Sequence, residues 1–263
     1  GLQGGRNGVL SLDLIRSLHR RLMAGASGER FSNPGEFRII QNYVGQTNDI
    51  AGATYVPPPP AEIHAGLDQL VDYVSAPKPR TPAMVEAAWM HYQFEAVHPF
   101  LDGNGRVGRI LIALILAARH GVSHPLLYLS PYFERRREEY YRLLLAVSTT
   151  SAWEDWLRFF LMGVVEQAHE ASSLARSVLA LRGEWSERLD DAGATPSARR
   201  LIDFVLEHVA VTPRVVQPGL GVARQTAYTA VQALVEARIL EPVLQRRRGN
   251  VYIARELIEL LAP

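Results

Sequence analysis

The chain has 263 residues, 48% of them hydrophobic and 21% charged, with a formal net charge of +1 and no cysteine. That length and apolar content suffice for one large domain and a smaller companion, each with its own core. The even charge balance excludes bulk attraction to nucleic acid or to a membrane, and the missing thiols exclude disulfides, thiol nucleophiles and cysteine-ligated metals, which fits a cytoplasmic protein.

The first residue is Gly1 rather than Met, so a native segment is expected ahead of it, and no signal peptide is found. After the glycine-rich run Gly1 to Gly8, apolar residues at Leu10, Leu14, Ile15, Leu18 and Leu22 give Leu10 to Met23 the spacing of an amphipathic helix, with Ser11 near its cap. Gly25 to Phe37 reads as loop. Gln41 to Gly45 and Ala53 to Val56, separated by a turn-rich stretch, read as a β-hairpin over about residues 41–56, ended by Pro57 to Pro60. Ala61 to Val74 reads as a helix, and Pro77 and Pro79 break the chain after it. Thr81 before Pro82 is an N-cap signal for a helix over Ala83 to Val97. A further helix is predicted from near Gly105. Its apolar run Ile110 to Ala118 is half a membrane span, so it is a buried core helix and no membrane partner is expected.

Between these two helices lies H-P-F-L-D-G-N-G-R-V-G-R, His98 to Arg109. Gly103 and Gly105, around Asn104, let backbone N–H groups turn inward at a helix N-terminus, where the dipole favours an anion such as phosphate. Arg106 and Arg109, three residues apart, can grip further phosphate oxygens. Asp102 is placed to hold a Mg²⁺ bridging the phosphates. His98 can accept a proton from an incoming hydroxyl near neutral pH. Gly103, Gly105 and Gly108 also spell a dinucleotide fingerprint, but a helix leads in where a strand is required, and Gly121 to Ser130 has no acidic residue.

This run matches, position for position, the signature H-x-F-x-[DE]-G-N-G-R-x-x-R, and the chain resembles the Fic (filamentation induced by cAMP) family. The resemblance implies a Fic-type helical bundle and a Mg²⁺-dependent protein adenylyltransferase. His98 would be the base that deprotonates a Ser, Thr or Tyr hydroxyl of a target protein, Asp102 the magnesium ligand, and Gly103, Asn104 and Gly105 the phosphate nest. Arg106 and Arg109 would complete the ATP grip, Arg109 nearest the γ-phosphate. The hairpin would be the flap that docks an extended target segment through Tyr43, Val44, Tyr55 and Val56. Tyr140 and Tyr141 resemble a family tyrosine pair near the nucleotide. Transfer of another nucleotide, or removal of AMP, stays open. Many relatives carry an inhibitory helix with [ST]-x-x-x-E-[GN]. No Glu here is followed by Gly or Asn, so that element is expected before Gly1, and autoinhibition would be lost with it.

Further along, Pro125 to Ser130 is a connector and Tyr132 to Val147 a helix whose Arg135 to Arg137 are offset by flanking glutamates. Trp153 to Gln167 and Ser172 to Leu189 read as two more helices. The first domain, residues 1–190, is therefore almost all α, and Asp190 to Thr195 reads as a linker. Residues 195–263 follow as helix (Ser197 to Val209), a segment marked by proline and glycine (Thr212 to Gly221), helix (Ala223 to Arg238), then strands Leu240 to Val243 and Val251 to Ala254. This resembles a winged helix-turn-helix. Arg224, Gln225, Thr226 and Tyr228 would stand at the start of the recognition helix, and Arg246, Arg247 and Arg248 in the wing. Nine Arg against six Asp plus Glu after Thr195 suit DNA phosphates, while dimerisation, giving a homodimer, or target docking are the other uses of such a fold. A nucleotide-sensing DNA-binding transcription regulator is the rival to the enzyme. An intact His98 favours the enzyme, because sensing needs no base.

Overall fold

The computed structural model describes residues 10–24, 33–45, 50–76, 81–121, 127–244 and 250–262. Two compact units, Gly1–Ala168 and His169–Pro263, are resolved by their internal contacts.

The first unit is a helical assembly. Helix α1 (Leu12–Met23) starts where the Ser11 side chain accepts from Leu14 N at 3.1 Å, and it buries Ile15, His19 and Met23. A short 3₁₀ turn, Pro60–Glu62, leads into α2 (Ile63–Ser75). Helix α3 (Ala83–Val97) has Pro82 at its N-cap and no side-chain cap, so the Thr81 hydroxyl does not take the predicted role. Helix α4 (Asn104–His120) packs along α3 as the most extensive helix pair. Where one helix is predicted over Tyr132 to Val147, α5 (Ser130–Arg135) and α6 (Arg137–Thr150) meet at Arg136, whose φ of −121° and ψ of 37° leave the helical region. The opposite correction follows: α7 (Trp153–Asp191) is one 39-residue helix in place of two, because no proline interrupts it and Gly163 is a packing site. A Cβ there would meet the Tyr132 ring at 2.6 Å. The two compact units divide within α7.

Two cores support this unit. One joins Leu10, Ile15, Leu67, Phe94, Phe100, Val107 and Leu111. The other is aromatic, around Phe133, Tyr140, Trp156 and Phe160. Each such side chain contributes roughly 1.5–3 kcal/mol on burial, so Phe100 anchors the catalytic-type loop in the first core. Away from that loop, buried Glu86 meets Arg119 Nε at 2.7 Å and His120 Nε2 at 2.6 Å, while Arg119 donates to the carbonyls of Val74 and Ala76. This closes the far ends of α2, α3 and α4 together. The predicted β-hairpin is reduced, among the described residues, to one antiparallel bridge: Val44 N donates to Tyr55 O at 2.8 Å and Tyr55 N to Val44 O at 3.0 Å. A 3₁₀ turn, Ile50–Gly52, precedes the return strand position.

In the second unit, Thr195 caps α8 (Pro196–His208), whose first residue is proline. Strand β1 (Ala210–Val211) leads to α9 (Pro213–Leu220), a helix where the sequence marks only a proline- and glycine-bearing segment; Thr212 caps it and Pro213 occupies the first turn, where no amide is needed. Then come α10 (Arg224–Glu236), β2 (Glu241–Leu244), β3 (Val251–Ile253) and α11 (Arg255–Leu261). The sheet order is β1-β3-β2, all antiparallel, with Ala210 opposite Ile253 and Glu241 opposite Ile253 on the other side. Its core gathers Trp185, Leu201, Val205, Val231, Leu234, Tyr252 and Leu257. Arg246, Arg247 and Arg248 lie outside the described residues.

Candidate functional site

Helix α3 ends at His98, which takes the left-handed conformation (φ 48°, ψ 58°) and still donates its backbone N–H to Phe94 O at 3.1 Å. A non-glycine residue there is uncommon and needs support. Arg38 provides it: Nε donates to His98 O at 2.9 Å, Nη2 to Pro58 O at 2.5 Å and to Val97 O at 3.4 Å, and its own amide donates to Pro99 O at 2.9 Å. The half-buried His98 ring donates from Nδ1 to Glu95 O at 3.3 Å, which leaves Nε2 as the acceptor. Burial lowers its pKa to about 4; the Glu95 carbonyl and Asp102 act upward, and the Arg38 charge adds to the fall. At neutral pH the ring is therefore neutral and able to take a proton.

The loop after His98 is held by two side chains. Asn104 accepts from Phe100 N at 2.8 Å and donates to Phe100 O at 2.7 Å, so its amide is engaged in shaping the loop. His19, from α1, stacks on the Phe100 ring at 3.8 Å and 6°. Its Nδ1 accepts from Gly35 N at 2.8 Å and its Nε2 donates to Asp102 O at 3.0 Å, a neutral tautomer consistent with burial lowering its pKa. Gly103 is left-handed (φ 82°) at the N-cap of α4, and a Cβ there would press on Met23 and His19. No side chain caps the first turn of α4, which leaves the helix N-terminus to an incoming anion. The Gly103 N–H is not part of that opening, because it donates to Asp102 Oδ1 at 2.6 Å.

Asp102 is 59% exposed and its Oδ2 lies 3.3 Å from Arg106 Nη2. The Arg106 guanidinium, 41% exposed, also touches Met23 Sδ at 3.3 Å. Arg109 folds along the same helical turn: a Cβ on Gly105 would meet its Nη1 at 3.1 Å. One exposed carboxylate fits a hard cation that takes the rest of its ligands from phosphates and water. Among the described residues there is no cluster of three or more His, Cys, Asp or Glu that could form an all-protein metal cage.

A cleft opens beside His98, between the Val44–Tyr55 bridge and α6, with Glu95, Tyr141 and Leu145 in its walls. Tyr55 fixes the bridge to α3 by donating its hydroxyl to Ala96 O at 2.8 Å. Tyr92 and Ser148 hydroxyls pair at 2.9 Å in the cleft lining. Of the two tyrosines singled out in sequence, Tyr141 lines the cleft, whereas Tyr140 is buried in the aromatic core with its hydroxyl 2.9 Å from His91 Nε2. Tyr43 is half-buried, and Val56, with Ile39 and Ile40, is exposed near the bridge in sequence. In the second unit Arg224, Gln225, Thr226 and Tyr228 are all exposed at the start of α10.

Sequence reasoning passed over His19, Arg38, His91, Glu95 and Gly108. Two of them carried a signal. His19 shares the apolar register of Ile15 and Met23 on α1, and Arg38 interrupts the apolar run of Phe37, Ile39 and Ile40. A polar residue in such a place needs a buried partner.

Residues 9–116 match the Fic/DOC family. Over 108 residues, 41% of this chain, it is 34% identical to protein adenylyltransferase fic-1 of Caenorhabditis elegans, covering 19% of that protein. It is 31% identical to protein adenylyltransferase Fic of Nematostella vectensis over 108 residues, 23% of that protein. A probable protein adenylyltransferase of Aquifex aeolicus is 36% identical over 80 residues, 30% of this chain and 25% of that protein. The chain thus spans a quarter or less of the length of these relatives. Among solved structures, a Fic family protein from Desulfovibrio desulfuricans G20 superposes with a TM-score of 0.53 at 20% identity, over 92% of this chain and 68% of that one, a likeness of fold. The segment that carries α1 to α4 and the His98–Arg109 run is therefore a Fic domain with homologues named protein adenylyltransferases.

Proposed function

We propose that the chain is a protein adenylyltransferase, moving AMP from ATP to a Ser, Thr or Tyr hydroxyl of a target protein. The observation that carries this reading is the His98 ring, held neutral with Nε2 unengaged beside the uncapped N-terminus of α4. In this reading the first-turn amides of Asn104, Gly105 and Arg106 cradle phosphate oxygens, and Arg106 and Arg109 neutralise them. The target hydroxyl gives its proton to His98 Nε2 as its oxygen attacks the α-phosphorus; the bond to the β-phosphate oxygen breaks and pyrophosphate leaves. Asp102 would hold a Mg²⁺, which when bound supplies neutralisation of phosphate charge. The nucleoside would lie in the cleft against Tyr141 and Leu145, and the target would extend along the Val44–Tyr55 bridge, touching Tyr43 and Val56. Incubation with labelled ATP, Mg²⁺ and a cell lysate tests the reading: labelled protein bands that vanish with His98→Ala support it, and no label with active nucleotide present overturns it. Because phosphates are gripped irrespective of the base, UTP and other nucleotides belong in the same experiment.

For the second unit, the order α8, β1, α9, α10, β2, β3 with a three-stranded antiparallel sheet supports a winged helix-turn-helix reading. Exposure of Arg224, Gln225, Thr226 and Tyr228 on α10 favours DNA as its partner. Dimerisation or target docking would leave the chain without affinity for duplex DNA at low salt.

A further inference from the structure

Glu95 stands on the last turn of α3, three residues before His98, and is only 7% exposed. Its Oε1 is buried without a hydrogen-bond partner, a state that stable cores avoid. The space it occupies exists because residue 108 is glycine: a Cβ there would lie closer than 3.0 Å to Oε1. The groups facing this carboxyl are His91 on its own helix, Tyr140 from α6 and Arg109 from α4. Burial drives Glu95 towards its neutral form, and the Arg109 charge is the influence that opposes this. The same guanidinium acts on His91 and Tyr140, whose own ring nitrogen and hydroxyl are already paired at 2.9 Å. At its other end Arg109 reaches Gly105 in the first turn of α4.

Arg109 is thus stretched between a buried acid and the amides expected to receive phosphate. A guanidinium has five N–H donors in a planar fork, enough to face a carboxylate on one edge and a phosphate on the other. Unanchored, so long a side chain would spread over many rotamers. We infer that Glu95 is a positioning residue that holds the Arg109 guanidinium in the orientation that grips the terminal phosphate of the bound nucleotide. This rests on the adenylyltransferase reading above. Gly108 belongs to the same device, since it leaves the room in which the carboxyl sits.

The test compares ATP and ADP binding, each with Mg²⁺, by calorimetry on the whole chain. Wild type should prefer ATP because only ATP offers the γ-phosphate. Glu95→Gln keeps the shape and removes the charge. It should retain ADP affinity and lose about tenfold in ATP affinity, as one charge-assisted contact is worth, with an equal or higher Tm because a buried carboxylate is gone. Arg109→Ala should lose the same preference, and adding Glu95→Gln to it should change nothing further. Gly108→Ala, which must push the carboxyl aside, should reproduce the loss and serves if Glu95→Gln does not fold. Loss of preference in Arg109→Ala alone, with Glu95→Gln and Gly108→Ala like wild type, overturns the inference and leaves the adenylyltransferase reading standing. Equal weakening of ATP and ADP by Glu95→Gln assigns Glu95 to packing and also overturns it. A wild-type chain that binds neither nucleotide overturns the underlying reading and the inference with it.

Discussion

Arg38 Nε donates to the carbonyl oxygen of His98 at 2.9 Å, so a cation 60 residues upstream both braces the left-handed backbone of His98 and repels a proton from its ring. Two consequences can be measured. The folded pKa of His98, about 4, lies below the ordinary 6.5. Its contribution to stability is fully present above pH 6.5 and is lost as pH falls through about 4. Transfer should therefore show no acid limb near 6.5 belonging to His98, and should fall only as pH approaches 4. Arg38→Met should move that limb upward. A limb at 6.5 in wild type that disappears in a His98 variant would refute the assignment.

His98→Ala should reduce transfer by at least about 10²-fold, the usual worth of a positioned general base, while ATP affinity stays within about threefold because phosphate capture rests on other residues. Near wild-type transfer would remove His98 from the reaction.

Asn104 spans the loop by accepting from Phe100 N and donating to Phe100 O. Asn104→Ala strands both buried backbone groups and should cost about 1–3 kcal/mol of unfolding free energy, read by urea denaturation. Transfer should fall with it, since the turn from His98 to α4 loosens. Unchanged stability would mean that the loop is held by His19 and Phe100 alone.

Glu95 gives a thermodynamic signature separate from nucleotide binding. Its carboxyl is raised from 4.5 to about 7 by burial. The folded state therefore binds the proton more tightly than the unfolded chain, and the associated stability is complete below pH 4.5 and lost as pH rises through 7. The loss is on the order of 2–3 kcal/mol. Comparing wild type with Glu95→Gln by denaturation at pH 5 and pH 8 isolates it: the variant should be relatively more stable at pH 8. A difference independent of pH would contradict an ionising Glu95.

On α10, Arg224→Ala should weaken duplex DNA binding and lower the slope of log affinity against log salt by about one. Wild-type binding that is absent at low salt would assign the second unit to protein contacts.

The order of residue types from His98 to Arg109, and most helix positions, were legible in the sequence because they are local. A left-handed turn at glycine, a serine or threonine before a helix and apolar residues at helical spacing all act within one or two turns of chain. Ser11, Thr195 and Gly103 behave accordingly. Continuity was less legible: nothing in the spacing says that α7 runs unbroken past Gln167, or that the Tyr132 to Val147 stretch breaks at Arg136, since helix propensity differs little between continuing and stopping there. The sides taken by Tyr140 and Tyr141 also waited for the fold, as adjacent positions on a helix point about 100° apart and only the placement of α3 and the Val44–Tyr55 bridge decides which one meets the cleft. His19 to Asp102, Arg38 to His98 and Glu95 to Gly108 are contacts between different elements. Their partners are chosen by how helices pack and by what burial demands of a polar group, and neither is written in the distance along the chain.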